Sequence, residues 1–127
     1  MATATNLRMD LLPPEARRAY ARATVHYGVM SQLLSEQEIG VALGTLPDWK
    51  LEKDALVREA VLSGFSQAIQ VVNRVAEVAE NNNHHPDIDI RWATLTFRCS
   101  THSEGGITAL DIGLAEEIDG IIDAITG

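Results

Sequence analysis

Cysteine is almost missing from this chain. Cys99 stands alone in 127 residues, so no intramolecular disulfide, no Cys-rich zinc site and no CxxC redox pair can be built. Basic charge is scarce as well. Ten Lys and Arg face 18 Asp and Glu, a net charge of -8, and no basic cluster is long enough to follow a phosphate backbone, which argues against nucleic acid as a partner. No apolar run approaches the roughly 18 to 20 residues that span a bilayer, and the N-terminus lacks the basic-then-apolar layout of a signal peptide. No serine lies in a G-x-S-x-G elbow, and Cys99 falls on the inward side of its segment, so covalent catalysis is not expected. These absences point to a cytoplasmic protein with no membrane partner. The length suits one domain with one core.

What is present divides at about residue 32. Residues 1–32 read as an N-terminal extension: Pro13-Pro14 interrupts them, and the Arg/Ala-rich stretch from Glu15 to Tyr27 suits a helix. Met30 is an alternative start. Residues 33–127 carry the regular signals. Ser35 and Glu38 form a capping-box pattern ahead of Ile39, Leu43 and Leu46, with Pro47 as the stop. Trp49–Leu51 and Leu56–Leu62 flank the polar turn Glu52-Lys53-Asp54 and suggest a hairpin. Ser63 is placed to cap a long helix whose expected buried stripe is Phe65, Ile69, Val72, Val75, Ala76 and Ala79. Asp89–Trp92 reads as extended, and Leu95, Phe97 and Cys99 alternate with Thr94, Thr96, Arg98 and Ser100 as in a half-buried strand. After Gly105-Gly106, Thr108 caps a final helix with Leu110, Leu114, Ile118, Ile121 or Ile122, and Ile125 facing inward. The order is α-β-β-α-β-β-α, an α+β fold with a four-stranded antiparallel sheet and helices on one face.

Three of the four histidines lie at element ends. His84 and His85 follow the Asn81-Asn82-Asn83 run where a helix must stop before Pro86, and His102 follows the last strand. Imidazole is the side chain whose ordinary pKa lies nearest neutrality, and element ends are where a scaffold presents functional groups, so proton transfer is the chemistry to expect. Each residue has a plainer use: the histidine pair as a cap on the helix dipole, Asp111 as the far half of a capping box with Thr108, Trp92 as a core or sheet-face aromatic. A metal centre is disfavoured, because neighbouring residues of an extended segment point to opposite faces and His84 and His85 would not share one ion.

The pattern Glu80-x-x-x-His84-His85-Pro86, followed by Trp92, His102 and Asp111, resembles the signature of the pterin-4a-carbinolamine dehydratase family. Leu34–Ile39, Leu46–Trp49, Asn73–Ala76 and His102–Thr108 are also similar to that family, and the likeness runs from Ser35 to the C-terminus. The resemblance implies the α+β fold above with three helices on one face. It implies removal of water from a 4a-hydroxytetrahydropterin, a hydro-lyase reaction: the 4a-hydroxyl is protonated to leave, and the N5 proton is lost to give the quinonoid dihydropterin. It assigns His84, His85 and His102 to catalysis, and Glu80, Ser100, Thr101 and Asp111 to substrate binding; acid and base are not distinguished among the histidines. No cofactor and no metal is implied. A pterin is the expected ligand, and a homodimer or homotetramer the expected assembly. Two other uses of such a chain are a dimerisation cofactor for a homeodomain transcription factor and action on a related pterin of folate or molybdopterin metabolism. Ala93-Thr94 and Arg98 depart from the family pattern.

Overall fold

The structure, a computed structural model, describes residues 32–127 together with Pro13 and Pro14. The rest of the expected extension, with its helix, lies outside the described residues. Among the described residues no helix is long and apolar enough to cross a membrane.

Helix α1 spans Glu36–Leu43, and its capping box forms as expected: Ser35 Oγ accepts the Glu38 N–H at 3.1 Å while Glu38 Oε1 accepts the Ser35 N–H at 2.8 Å. The helix stops at Leu43 instead of running on to Leu46, and Gly44 and Thr45 turn the chain. Leu46 and Trp49 are buried all the same, outside any helix. Strands β1 (Lys50–Glu52) and β2 (Ala55–Val61) form the hairpin, with Lys53 at φ 55 in its tip. Helix α2 (Phe65–Asn82) leads to β3 (Asp87–Arg91), β4 (Thr94–Cys99), a one-turn 3-10 helix (His102–Glu104) and helix α3 (Ala109–Thr126).

The sheet runs β1-β2-β4-β3 and every pairing is antiparallel. Register sets its two faces, since residues directly opposite share a side. Leu56 pairs Cys99, Arg58 pairs Phe97 and Ala60 pairs Leu95, with Ile88 and Ile90 continuing that face on β3. Leu56, Ala60, Leu95, Phe97 and Cys99 are buried in the core with Ile39, Ala68, Val71, Val75, Leu114 and Ile118 of the three helices. The opposite face carries Glu59, Thr96, Arg98, Asp87 and Asp89.

Two expectations for α2 need correction. Ser63 does not cap it; Gly64 occupies that position without a side-chain cap, and Ser63 contributes only its N–H, to Gln67 Oε1 at 2.9 Å. The buried stripe is Ala68, Val71, Val75 and Ala79, while Phe65 is 52 % exposed and Ala76 is exposed. The stripe includes the small residues Ala68 and Ala79, and one chosen by side-chain size overweights Phe65 at the first turn. The stripe of α3 is as expected from Leu114 onward, with Leu110 only partly buried. Arg58 is a cation on the core face of β2. Its guanidinium pairs with Asp119 of α3, whose Oδ1 also accepts the Trp49 indole N–H at 2.7 Å, so one carboxylate ties α3 to the hairpin.

Candidate active site

Helix α2 ends because Asn83 turns left-handed, at φ 51 and ψ 42. Asparagine takes this conformation more readily than other side-chain-bearing residues. The turn closes with the Asn83 N–H on Glu80 O at 3.3 Å and the His84 N–H on Ala79 O at 3.1 Å, the double bond of a Schellman motif. His84 is thereby fixed to the helix end by its backbone. Pro86 then keeps His85 out of helical geometry, and β3 begins at Asp87.

The two imidazoles turn to different carboxylates. His84 Nε2 lies 2.7 Å from Asp111 Oδ1, with the His84 side chain only 12 % exposed. His85 Nε2 lies 2.6 Å from Glu80 Oε2 in an exposed pair. Among the described residues no three His, Cys, Asp or Glu side chains converge as metal donors.

His102 is presented by a short loop closed at its base. The Thr101 N–H reaches Gly106 O at 2.8 Å, the one-turn helix His102–Glu104 fills the loop, and Gly105 turns it back at φ 77, where a Cβ would be strained. His102 is exposed. It borders a hollow of about 300 Å³ together with Ser100, Arg98, Asp87 and the β1–β2 turn. Asp87, two residues after His85, lines this hollow, whereas His84 and His85 themselves do not. In its wall Glu52 is held below the ordinary carboxylate range by the Lys50 ammonium at 2.9 Å, with Arg98 at 3.4 Å adding to the effect.

Helix α3 supplies the connection. Thr108 caps it, its Oγ1 accepting the Leu110 N–H at 3.2 Å, and Asp111 Oδ2 accepts the Thr108 N–H at 2.9 Å. Oδ2 also accepts the Thr101 hydroxyl at 2.8 Å, and the two threonine hydroxyls lie 2.8 Å apart. The capping use of Asp111 and its contact with a histidine therefore coexist, one on each oxygen. Asp111 and Thr108 are fully buried and Thr101 is 6 % exposed. Of the four residues that the family signature assigns to substrate, Ser100 lines the hollow and Glu80 is exposed, whereas Thr101 and Asp111 stand behind His84.

Trp92 is not a core or sheet-face aromatic. It occupies the β3–β4 turn at φ 55, is 77 % exposed, and lies at the end of β3 away from His84 and His85. A two-residue hairpin demands positive φ there, and Ala93, not Trp92, is the buried member of the turn. Cys99 is fully buried on the core face as expected; burial pushes its thiol up, helped by the Asp111 carboxylate, which leaves it unreactive. Thr108 also belongs to this cluster, and in the sequence only its capping-box spacing to Asp111, soon after His102, signals it.

The sequence model described as pterin 4 alpha carbinolamine dehydratase matches residues 32–121. A protein of Nocardia farcinica named as a candidate pterin-4-alpha-carbinolamine dehydratase is 53% identical over 89 residues, which cover 70% of this chain and 94% of that one. A protein of Mycobacteroides abscessus with the same name is 54% identical over 87 residues, 68% of this chain and 93% of its own length. Among solved structures, a transcriptional coactivator/pterin dehydratase from Brucella melitensis superposes with a TM-score of 0.67 at 32% identity, covering 74% of this chain and 98% of that one. The chain belongs to the pterin 4 alpha carbinolamine dehydratase family.

Proposed function

We propose that this protein dehydrates a 4a-hydroxytetrahydropterin to the quinonoid dihydropterin by histidine acid/base catalysis. The observation that supports it most is the joining of three separate elements at Asp111: His84 from the end of α2 on one oxygen, Thr101 beside His102 on the other. The reaction moves two protons and no net electrons. One imidazole protonates the departing 4a-hydroxyl and another takes the N5 proton, each such transfer contributing roughly 10²- to 10⁴-fold. His84, His85 and His102 are the catalytic residues in this reading. Ser100 and Glu80 meet the pterin directly, while Thr101 and Asp111 act on it through His84. Neither a cofactor nor a metal enters the scheme. The test is direct turnover of a carbinolamine by the purified chain and by His84→Ala, His85→Ala and His102→Ala; undiminished rates in the His84/His102 double variant would remove the proposal.

The same reading makes the protein a cytoplasmic homodimer or homotetramer. Strands β1 and β3 are edges among the described residues, and Val61, Phe65 and Trp92 are large apolar side chains more than half exposed, surface of the kind that association covers. Sedimentation of the full chain measures the subunit number. A second reading, a protein-binding role, draws on the coactivator half of the Brucella protein's description and on the same apolar side chains. A chain that fails to turn over a carbinolamine yet forms a stable heteromeric complex would favour it.

A further inference from the structure

The hydrogen bonds behind His84 have a direction. Thr101 gives its one hydroxyl proton to Asp111 Oδ2 at 2.8 Å. The 2.8 Å contact between the threonine hydroxyls is then donated by Thr108, whose oxygen is free to do so because it accepts the Leu110 N–H. The Thr108 N–H also points at Oδ2, at 2.9 Å. With two donors on Oδ2, the carboxylate presents Oδ1 to a single neighbour, His84 Nε2 at 2.7 Å. A carboxylate oxygen only accepts, so the proton of this hydrogen bond sits on Nε2. In the neutral ring the lone pair is then on Nδ1.

We infer that Thr101 and Thr108 are positioning residues which, by orienting Asp111, select the Nε2–H tautomer of His84 and make its Nδ1 the base of the reaction. The tautomer follows from the hydrogen bonds alone; its use rests on the dehydratase reading. In that use the N5–H bond breaks and an Nδ1–H bond forms. The N5 electron pair becomes the N5=C4a double bond, and the C4a–O pair leaves with oxygen, which takes a proton from a second imidazole and departs as water. His84 is then a cation beside the Asp111 carboxylate, whose position was set before the proton arrived. The hydroxyl is protonated by a different histidine, and His102, exposed at the rim of the hollow, is assigned that step.

The test reads the tautomer and the rate separately. In the full-length chain labelled with ¹⁵N in histidine, with the His84 signals identified by their loss in His84→Gln, the proton is expected on Nε2 and a pyridine-like shift on Nδ1. In Asp111→Asn the carbonyl oxygen keeps the two donors, so the NH₂ group faces His84 and the tautomer inverts. By analogy with the corresponding Asp-to-Asn change in serine proteases, kcat should fall by roughly 10³- to 10⁴-fold. Thr101→Val retains shape but loses the donor; kcat is expected to fall about 10-fold with mixed tautomers, and Thr101→Ser should restore both, which a packing role would not produce. A wild-type His84 protonated on Nδ1, or an Asp111→Asn ring with its tautomer unchanged, overturns the inference. An Nε2–H ring in a chain without dehydratase activity supports the tautomer selection and overturns the base assignment together with the dehydratase reading.

Discussion

His84 and Thr101 are held on opposite oxygens of one buried carboxylate, that of Asp111. Twenty-seven positions separate Asp111 from His84 in the chain and ten from Thr101, so the end of α2, the loop after β4 and the first turn of α3 cannot shift independently. The oxygen that holds Thr101 also completes the cap of α3. Stability and site geometry therefore share atoms.

Removing that cap is expected to be costly. Thr108→Ala deletes the side chain that accepts the Leu110 N–H and donates toward Thr101, and should lower stability by about 1–2 kcal/mol. The check is a urea titration in which the midpoint falls while the slope is unchanged.

The exposed pair should behave in the opposite way. Glu80 and His85 are solvated, so Glu80→Gln is expected to change stability by less than about 0.5 kcal/mol. If Glu80 meets the pterin or orients His85, the same variant lowers kcat/KM for the carbinolamine by roughly tenfold or more. Loss of stability without loss of rate would assign Glu80 to the helix end alone.

Cys99 gives the fold a pH dependence on the alkaline side. Burial keeps its thiol protonated in the folded chain at pH values where an exposed thiol, ordinarily at 9.0, ionises. The unfolded state then binds fewer protons than the folded state, so stability decreases as the pH rises past about 9, by up to roughly 1.4 kcal/mol per unit from this group. Cys99→Ala should lose that portion of the slope, seen by comparing urea midpoints at pH 8 and pH 10. In the native chain the thiol should also resist alkylation until the protein unfolds.

Two aromatic residues, Phe97 within β4 and Trp92 in the turn before it, should differ sharply. Phe97 is fully buried at the centre of the core and Phe97→Ala is expected to cost about 3–5 kcal/mol. Trp92→Ala, at an exposed turn, should cost the monomer less than about 0.5 kcal/mol. A larger loss at Trp92, growing with protein concentration, would place it in a subunit interface.

Backbone geometry is testable at the end of α2. Asn83 at φ 51 should tolerate Gly with little change, whereas Asn83→Val should cost about 1–2 kcal/mol and displace His84 and His85 with it. Thermal unfolding measures the first effect and carbinolamine turnover the second.

Much of this molecule is written in local patterns. Ser35 with Glu38 and Thr108 with Asp111 mark their helix starts because a capping box is completed within one turn of chain. Alternation from Thr94 to Cys99 marks β4 and its inward face because side chains along a strand point to alternate sides. The histidines and their spacing are equally legible, as types and positions in a string. Tertiary structure decided the remainder. Which side of α2 is buried, the one with Ala68, Val71, Val75 and Ala79, was settled by its packing into the common core, and Trp92 left the core because a turn needed its backbone at positive φ. Above all, Asp111 acquired both a cap and a histidine only when α3 was laid beside the end of α2, a relation between distant segments that no local period encodes.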